Sequence, residues 1–301
     1  MGTIAPRTKA TAIGATAVLM WGVLALFTTL TGDVPPFLLT AFAFSIGGIL
    51  MIVKWIIRGD NIVAHLRQPI GAWVLGVTGL FGYHFLYFLA LKSAPPVQAG
   101  LIAYMWPLLI VVFSALLPGK RLRWFHVCGA VSGLAGTIVL VAGSVDLSLK
   151  QSEYFGYVLA LACAFTWSGY SVLNRKFGTV PTDTVGAFCI VVAVLSFIAH
   201  LVFEKTIMPA DLIEWLAVLG LGIFPVGLAF FAWDYGTKHG DIQVLGAISY
   251  AAPLVSTFML ILFGMGALTW SVFWGCVFIV GGAVVGSKEL FLTILRPNRL
   301  R

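Results

Sequence analysis

Charged residues are scarce in this chain of 301 residues: Asp, Glu, Lys and Arg make up 10% of it, whereas 60% is hydrophobic. A soluble globular protein carries about 25% charged residues, so the composition excludes that class. Most of the chain lies in apolar runs of about 20 residues, the length that crosses a bilayer core as a helix. Because backbone polar groups in lipid must be paired internally, each run is predicted to be an α-helix.

The apolar runs predict an all-α polytopic membrane protein with ten transmembrane helices. The first run is too long for the core of a signal peptide and has no clear cleavage site, so it is predicted to remain a membrane helix. The predicted spans are residues 10–30, 36–56, 71–91, 96–117, 124–143, 155–174, 184–203, 212–233, 242–263 and 269–287.

The usual sequence marks of disulfide, metal and enzyme chemistry are also missing. There is no C-x-x-C pair, no G-x-S-x-G and no H-E-x-x-H, and the histidines other than His84 lie near span ends. An intramembrane enzyme, which needs a nucleophile–base pair or a metal cluster at depth, is therefore disfavoured. No cofactor and no metal are expected. Four cysteines inside the spans are interpreted as buried thiols: Cys128, Cys163, Cys189 and Cys276.

Basic residues are unevenly distributed between the two sides of the predicted topology. With the N-terminus inside, 15 of the 18 Lys and Arg residues fall on inner segments, and only Lys92, Lys150 and Lys205 fall on outer ones. The positive-inside rule then predicts that both termini are cytoplasmic. Since topology explains the pI near 9.4, no nucleic-acid partner is implied.

An internal repeat runs through the chain at an offset of 146 residues. IAYMWPLLI at 102–110 matches ISYAAPLVS at 248–256, and two tryptophan pairs coincide in the same register. We predict two five-helix repeats, residues 1–146 and 147–301. Because five is an odd number, the second repeat enters the membrane inverted. Inverted repeats are typical of secondary transporters whose substrate site lies near the midplane between the repeats.

Motifs in these spans resemble those of the drug/metabolite transporter superfamily (EamA-type), and within it the aromatic amino-acid exporter branch. They are W-G and W-S at Trp21 and Trp167, Y-x-W-P at Tyr104–Pro107, A-W-x-x-G-x-x-H-G at Ala232–Gly240, and S-Y-x-x-P at Ser249–Pro253. The resemblance covers nearly the whole chain. One departure is that PGKRL at 118–122 and GMGAL at 264–268 lack the glutamate that many members carry after the fourth helix.

The resemblance implies export of aromatic and other neutral amino acids from the cytoplasm, across the inner membrane of a bacterium, by a monomer or weak dimer. The partners it implies are a small-molecule amino acid and the lipid bilayer. The alternative that we keep is an exporter of hydrophobic or quaternary-ammonium drugs, with or without proton coupling, since an aromatic box also holds cations.

Acidic and basic residues are absent from the central third of every predicted span. A proton-coupled cation exporter needs a buried carboxylate, so facilitated transport by alternating access is the simpler expectation. The missing arginines also argue against a phosphate-bearing substrate and favour a net-neutral zwitterion. Asp234 and Lys238 are interpreted as an i,i+4 ion pair at the interface, near the inner end of span 8.

Aromatic and hydroxyl side chains at mid-span are the candidate substrate-binding residues. Aromatic faces attract an ammonium group and stack on an apolar side chain. The candidates are Trp21, Tyr83, His84, Tyr87, Tyr104, Trp106, Trp167, Tyr170, Ser249 and Tyr250. His84 has two interpretations, either a neutral histidine bonded to a neighbouring helix or a cavity-lining, proton-sensitive group. Tryptophans near span ends, Trp55 among them, are assigned to interfacial belts.

Two prolines and two glycines are the candidate hinges and helix breaks. Pro107 and Pro253 are expected to free backbone carbonyls near Ala103 and Ser249. Gly136 and Gly282 belong to the spaced glycines of the fifth helix of each repeat. Such glycines serve either close helix packing or a pivot, and the sequence leaves both interpretations open.

Overall fold

The computed structural model describes residues 6–119, 121–142, 151–286 and 288, and the regular structure in this part of the chain is helical. Nine helices are long and apolar enough to cross a membrane, and a tenth has 17 residues. A helix lies at each of the ten predicted spans. The helices are α1 (Pro6–Leu30), α2 (Pro36–Arg58), α3 (Ile70–Ser93), α4 (Pro96–Leu116), α5 (Trp124–Ala142), α6 (Gln151–Phe177), α7 (Thr184–Phe203), α8 (Leu212–His239), α9 (Ile242–Leu262) and α10 (Trp270–Gly286).

Several sequence predictions fall outside the described residues. These are the repeat boundary between 146 and 147, both chain ends, and the basic residues Lys120, Lys150, Arg296, Arg299 and Arg301.

Local sequence signals explain where the helices begin and end. Helix α2 starts with Pro36, whose missing N–H costs nothing in a first turn, and it ends at Gly59 with φ 68°. Helix α9 begins after Asp241, whose carboxylate accepts the Gln243 N–H at 3.1 Å. A short helix, Ile62–Leu66, lies between α2 and α3.

We call the end of the bundle at which α1 begins the basic end. Among the described Lys and Arg residues, only Lys92 and Lys205 lie toward the opposite end. Contacts across helices tie the basic end together: Arg7 pairs with Asp241, and the Arg175 guanidinium donates to Gly240 O at 2.9 Å. At the opposite end, the Glu204 carboxylate accepts the Phe37 N–H at 2.9 Å and so caps α2 from α7.

Helix packing follows the pseudo-two-fold symmetry of two repeats. Helices α2 and α7 pack together, as do α4 with α9 and α5 with α10. Helix α1 packs on α8 and α9, just as α6 packs on α3 and α4. When each helix is replaced by its equivalent in the other repeat, five helices away, the same set of packed pairs results. This is the architecture of inverted repeats.

Glycines of α5 and α10 locate the symmetry axis. A Cβ on Gly129 would lie 2.6 Å from Gly282 O, and a Cβ on Gly136 would lie 2.9 Å from Gly275 O. Gly129 and Gly275 are 146 residues apart, as are Gly136 and Gly282, so each contact is the repeat equivalent of the other. The two helices therefore cross antiparallel about a two-fold axis. The Ser132 hydroxyl donates to Phe278 O at 2.9 Å, and these residues are themselves 146 apart, so the axis passes beside them.

Irregular backbone occurs at matching positions of both repeats. Regular helix stops after Ala103 in α4 and after Ile248 in α9, and in each case a proline follows within a few residues. Helices α3 and α8 contain π-helical segments, Thr78–Gly82 and Gly222–Leu228. Such segments interrupt normal helical bonding and are common at functional sites.

Three local expectations from the sequence are wrong, and one of them is the burial of all four cysteines, because Cys128 is exposed. Trp55 is 1% exposed and stacks on His65, so it does not belong to an interfacial belt. The predicted i,i+4 ion pair of Asp234 and Lys238 is formed, but neighbouring helices bury it, because α8 continues to His239. The Ser249 carbonyl is not freed, because it accepts the Ala252 N–H at 3.1 Å.

Candidate functional site

Four tryptophans from four helices pack against one another in the middle of the bundle. Every pair among them has ring centroids between 5.1 and 6.3 Å apart, and the members are Trp21, Trp106, Trp167 and Trp233. We call this group the tryptophan cluster. Three of its members were predicted site residues, and helices α1, α4, α6 and α8 supply one residue each.

Hydrogen bonds fix two of the four indoles and leave the other two available. Trp21 Nε1 donates to Pro225 O at 3.0 Å, a carbonyl of the π-helical segment of α8. Trp233 Nε1 donates to Ser171 Oγ at 3.1 Å. Within the described residues, the structure shows no intramolecular partner for Nε1 of Trp106 or Trp167, and neither atom is enclosed by protein. Both can donate to a bound molecule.

Tyrosines from α3 and α4 continue the aromatic wall. Tyr83 and Tyr87 are nearly parallel, with ring centroids 6.0 Å apart, and Tyr83 lies 5.4 Å from Trp167. Tyr104 lies near both phenols. All three tyrosines are partly exposed in the middle of their helices. Together with the tryptophan cluster they form what we call the aromatic box.

His84 lies beside this box with one ring nitrogen already bonded. Its Nδ1 is 2.7 Å from Leu80 O, and because a carbonyl only accepts, Nδ1 must carry the proton. Nε2 has no intramolecular partner among the described residues and is therefore available to a bound molecule. Phe44 and Phe230 pack edge-on to the imidazole, with centroids 5.3 and 6.4 Å away. The histidine bonds within its own helix, so the expected bond to a neighbouring helix is not the one formed.

The remaining predicted site residues are buried around the box. Tyr170 packs beside Trp167 at 5.3 Å and is 2% exposed. Ser249 and Tyr250 are fully buried, and the Ser249 hydroxyl donates to Leu245 O at 2.7 Å. Tyr250 belongs to a separate apolar cluster with Val111 and Ile279. The structure therefore places these two residues at the junction of α4 and α9, outside the tryptophan cluster.

The candidate hinge residues lie at close contacts. Pro107 and Pro253 are buried and follow the helix breaks. Gly246 of α9 packs on Pro107, since a Cβ there would lie 3.1 Å from Pro107 O. Gly136 and Gly282 pack against the backbone of α10 and α5. The close-packing interpretation of these glycines has direct geometric support.

A buried ion pair lies next to the tryptophan cluster. The Asp234 carboxylate contacts Lys238 Nζ at 2.9 Å and accepts hydrogen bonds from Asn174 at 2.9 Å and Thr182 at 2.7 Å. Lys238 also donates to Val180 O at 3.0 Å. Each charge is therefore neutralised by its partner and by further hydrogen bonds, and neither is presented to the aromatic box as a free ion.

The two ends of α4 and α9 are packed differently. At the basic end, Trp106–Phe113 packs on Ile242–Ile248, and Tyr250 Oη accepts the Leu108 N–H at 3.2 Å. At the opposite end, Pro96–Ala103 and Ala251–Leu262 do not form a packed pair. Helices α4 and α9 are therefore packed together at the basic end and separated at the opposite end.

The sequence prediction missed Trp233 of the aromatic box and Phe230, which packs beside the box. Phe230 lies 5.7 Å from Trp167 and stacks on Phe44 at 5.5 Å. The internal repeat contains the signal for both, because the offset of 146 places Trp233 on Tyr87 and Phe230 on His84. Matching only identical residues between the repeats hides pairs in which one aromatic ring replaces another.

Known proteins resemble this chain over nearly its full length. The model of the EamA-like transporter family matches residues 8–142 and 154–287. A relative from Ancylobacter novellus, named aromatic amino acid exporter YddG, is 53% identical over 282 residues, 93% of this chain and 98% of the relative. The Escherichia coli protein of that name is 25% identical over 297 residues, 93% of this chain and 97% of the relative.

One solved crystal structure is also similar to the chain. It is 52% identical in sequence, covers 94% of this chain and 99% of its own, and has a TM-score of 0.89. Two family matches of similar length, one in each half of ten helices, agree with the inverted-repeat fold described above. This protein is therefore a membrane transporter of the EamA-like transporter family, within the drug/metabolite transporter superfamily.

Proposed function

We propose that this transporter exports aromatic and other neutral amino acids across the inner membrane of a bacterium. The observation that carries the proposal is the aromatic box, in which indole N–H donors without intramolecular partners lie beside phenols, with no unpaired charge next to them among the described residues. The relatives named aromatic amino acid exporter agree with this substrate class. One chain supplies the whole box, so a monomer suffices.

A zwitterion matches the chemistry of the box. Its carboxylate is suited to accept the indole N–H groups of Trp106 and Trp167, because hydrogen bonds to charged groups are the stronger class. Its ammonium group gains about 0.5–2 kcal/mol from each aromatic face it meets. The phenols of Tyr83, Tyr87 and Tyr104 add hydroxyl partners, and an aromatic substrate side chain stacks on the rings.

Transport is proposed to be facilitative. A proton-coupled carrier needs a group that gains and loses a proton in contact with the substrate path. Among the described residues, the carboxylate nearest the tryptophan cluster is Asp234, and it is held by Lys238, Asn174 and Thr182. Substrate then moves down its own gradient, whatever the pH on either side.

Alternating access is proposed to exchange the environments of the two repeats. In the described state Tyr250 Oη accepts the Leu108 N–H. The equivalent residues of the other repeat, 146 positions away, are Tyr104 and Leu254. Likewise, Trp21 Nε1 donates to Pro225 O, and the equivalent bond in the other repeat would run from Trp167 Nε1 to Gly79 O. Neither counterpart bond is formed among the described residues. Forming them would close the opposite end and open the basic end.

The basic end is proposed to face the cytoplasm, with both chain termini on that side, because Lys and Arg concentrate there. The described state is then open to the outside. Reporter fusions at each chain end test this orientation. Fluorescence from a cytoplasmic reporter at both ends is expected, whereas phosphatase activity from a periplasmic reporter at either end would overturn it.

Uptake into proteoliposomes tests the substrate and the coupling together. Purified protein is reconstituted and offered labelled phenylalanine, threonine, methionine or tetraethylammonium, each with and without a pH gradient. Liposomes without protein give the background. We expect uptake of the amino acids, with phenylalanine preferred. The uptake rates should be equal with and without the pH gradient.

Other outcomes of the same assay separate the alternatives. Uptake of tetraethylammonium but not of phenylalanine would replace the proposal with a drug exporter. Amino-acid uptake that appears only with a pH gradient would keep the substrate class and refute the facilitative mechanism.

A further inference from the structure

Three potential metal ligands meet at the basic end, away from the aromatic box. Asp60 follows α2, His65 lies in the short helix Ile62–Leu66, and Asp183 immediately precedes α7. One ligand atom from each lies within 4.8 Å of the other two. A single ion can therefore lie within about 2.8 Å of all three atoms. Shifts of about 0.7 Å in the side chains bring these distances to the 2.0–2.2 Å of zinc–ligand bonds.

The His65 ring packs against a tryptophan and has one nitrogen without a hydrogen-bond partner. It stacks on Trp55 with centroids 4.8 Å apart and an interplanar angle of 9°. Its Nδ1 is enclosed by protein and has no hydrogen-bond partner. Buried polar atoms are nearly always satisfied, and an unsatisfied one calls for a water molecule, an ion or another specific explanation. An imidazole with an unpartnered nitrogen beside two carboxylates is a donor set for a metal ion.

We infer that Asp60, His65 and Asp183 form a binding site for a divalent first-row transition-metal ion, with Zn²⁺ as its best representative. An imidazole nitrogen with two carboxylates is a donor set that Zn²⁺ accepts, whereas Mg²⁺ and Ca²⁺ prefer oxygen ligands alone. Three protein ligands leave at least one coordination position for water.

Lys54 is the built-in competitor of this ion. Its Nζ lies 2.6 Å from Asp183 Oδ1, and both side chains are partly exposed, at 37% and 21%. The ammonium group neutralises one carboxylate of the cluster and lowers its attraction for a second cation. The other oxygen of Asp183 stays free to bind, and no side-chain bond to the start of α7 holds it. Removing the Lys54 charge should therefore strengthen metal binding.

The site joins the two repeats. Asp60 and His65 belong to the first, Asp183 belongs to the second, and α2 and α7 already pack along their length. A bound ion would tie the segment between α2 and α3 to the start of α7. The inference does not depend on the transported substrate, so a failed transport assay leaves it standing and a failed metal assay leaves the proposed function standing.

Isothermal titration calorimetry of the full-length protein in detergent tests the site, with no polyhistidine tag and after treatment with a chelator. Wild-type protein is expected to bind one Zn²⁺ per chain. His65→Gln and Asp60→Asn each remove a ligand and should weaken binding about tenfold or more. Lys54→Gln should tighten binding. His239→Gln, a histidine change on the same end of the bundle, should leave it unchanged.

Cobalt absorption distinguishes direct coordination from an indirect effect. Co²⁺ bound to wild-type protein should show visible d–d bands that His65→Gln abolishes while the far-UV circular dichroism is retained. The inference is overturned if wild-type and His65→Gln protein bind Zn²⁺ equally. It is also overturned if Lys54→Gln weakens binding as strongly as the loss of a ligand.

Discussion

Tyr250 Oη accepts a hydrogen bond from the Leu108 backbone N–H at 3.2 Å, and this bond links α9 of the second repeat to α4 of the first. It forms where Pro107 interrupts α4, so it satisfies a donor near a helix break. Tyr104, the repeat counterpart of Tyr250, forms no equivalent bond to Leu254 among the described residues. One sequence pattern thus occupies two environments at once, closed at the basic end and open at the other.

Tyr250→Phe should loosen the basic end without disturbing the ring packing. A neutral hydrogen bond of this kind contributes about 0.5–1.5 kcal/mol, so the population open at the basic end should rise about 2- to 10-fold. Ser114→Cys, placed at a fully buried position of α4 in a background without the four native cysteines, reports opening through its rate of maleimide labelling.

Tyr104→Phe is the matched counterpart, because that hydroxyl has no Leu254 bond to lose in the described state. It is proposed to form that bond only when the basic end opens, so this variant's labelling rate should fall below that of the unmodified background. Equal acceleration by both tyrosine variants, or none by Tyr250→Phe, would show that the Tyr250–Leu108 bond does not hold the basic end closed.

Trp167→Phe should weaken substrate binding while preserving the fold. Phenylalanine keeps an aromatic ring in the cluster but removes the N–H that we assign to the substrate carboxylate. Because hydrogen bonds to charged groups contribute about 1.5–3 kcal/mol, the KM for phenylalanine should rise about tenfold or more. Proteoliposome uptake at varied substrate concentration measures it.

Trp270→Phe makes the same chemical change at a ring that is 79% exposed on the outside of α10. Its KM should match the wild type. An unchanged KM in Trp167→Phe would remove that indole from the binding site.

The fold could be predicted from the sequence because local features of the chain determine it. Apolar runs in lipid must form helices, and rare residues such as Trp21 and Trp167 reveal the repeat when they coincide at one offset. Repeat pairing predicted the contact of Trp21 with Trp167, whereas Tyr250, the counterpart of Tyr104, lies in a separate apolar cluster.

Tertiary contacts explain what the sequence could not indicate. Span 8 was predicted to end at Trp233, because charged residues end a hydropathy window, yet α8 continues to His239. The Asp234 carboxylate is tolerated there because residues of two other segments, Asn174 and Thr182, donate to it. Likewise, nothing in the spacing of Asp60, His65 and Asp183 predicts that their ligand atoms meet.

Removing one member of the Asp234–Lys238 pair should cost far more than removing both. Lys238→Met leaves a buried carboxylate without its counter-ion, which destabilises a protein by about 3–5 kcal/mol. The double variant Asp234→Asn/Lys238→Met removes the isolated charge and should recover most of the loss. Thermal unfolding in detergent measures both variants against the wild type.

Lys54→Met provides the comparison at a partly exposed ion pair, where the expected cost is about 1 kcal/mol or less. The double variant should also take up phenylalanine at equal rates with and without a pH gradient. Gradient-dependent uptake in the wild type that this double variant abolishes would identify the pair as a coupling site and refute the facilitative mechanism.

Two adjacent glycines of α10 distinguish packing from pivoting. A Cβ on Gly282 would lie 2.6 Å from Gly129 O of α5, whereas a Cβ on Gly281 meets nothing within 4 Å. Gly282→Ala should therefore force α5 and α10 apart and cost about 1–3 kcal/mol. Gly281→Ala adds only helix propensity and should be neutral or stabilising by about 1 kcal/mol. Thermal unfolding and phenylalanine uptake are measured for both variants.

If α10 instead bends at these glycines during transport, each alanine would stiffen the helix, and both variants would lose uptake without losing stability. Loss of stability confined to Gly282→Ala, with uptake retained in Gly281→Ala, identifies close contact between the repeats as the requirement for glycine.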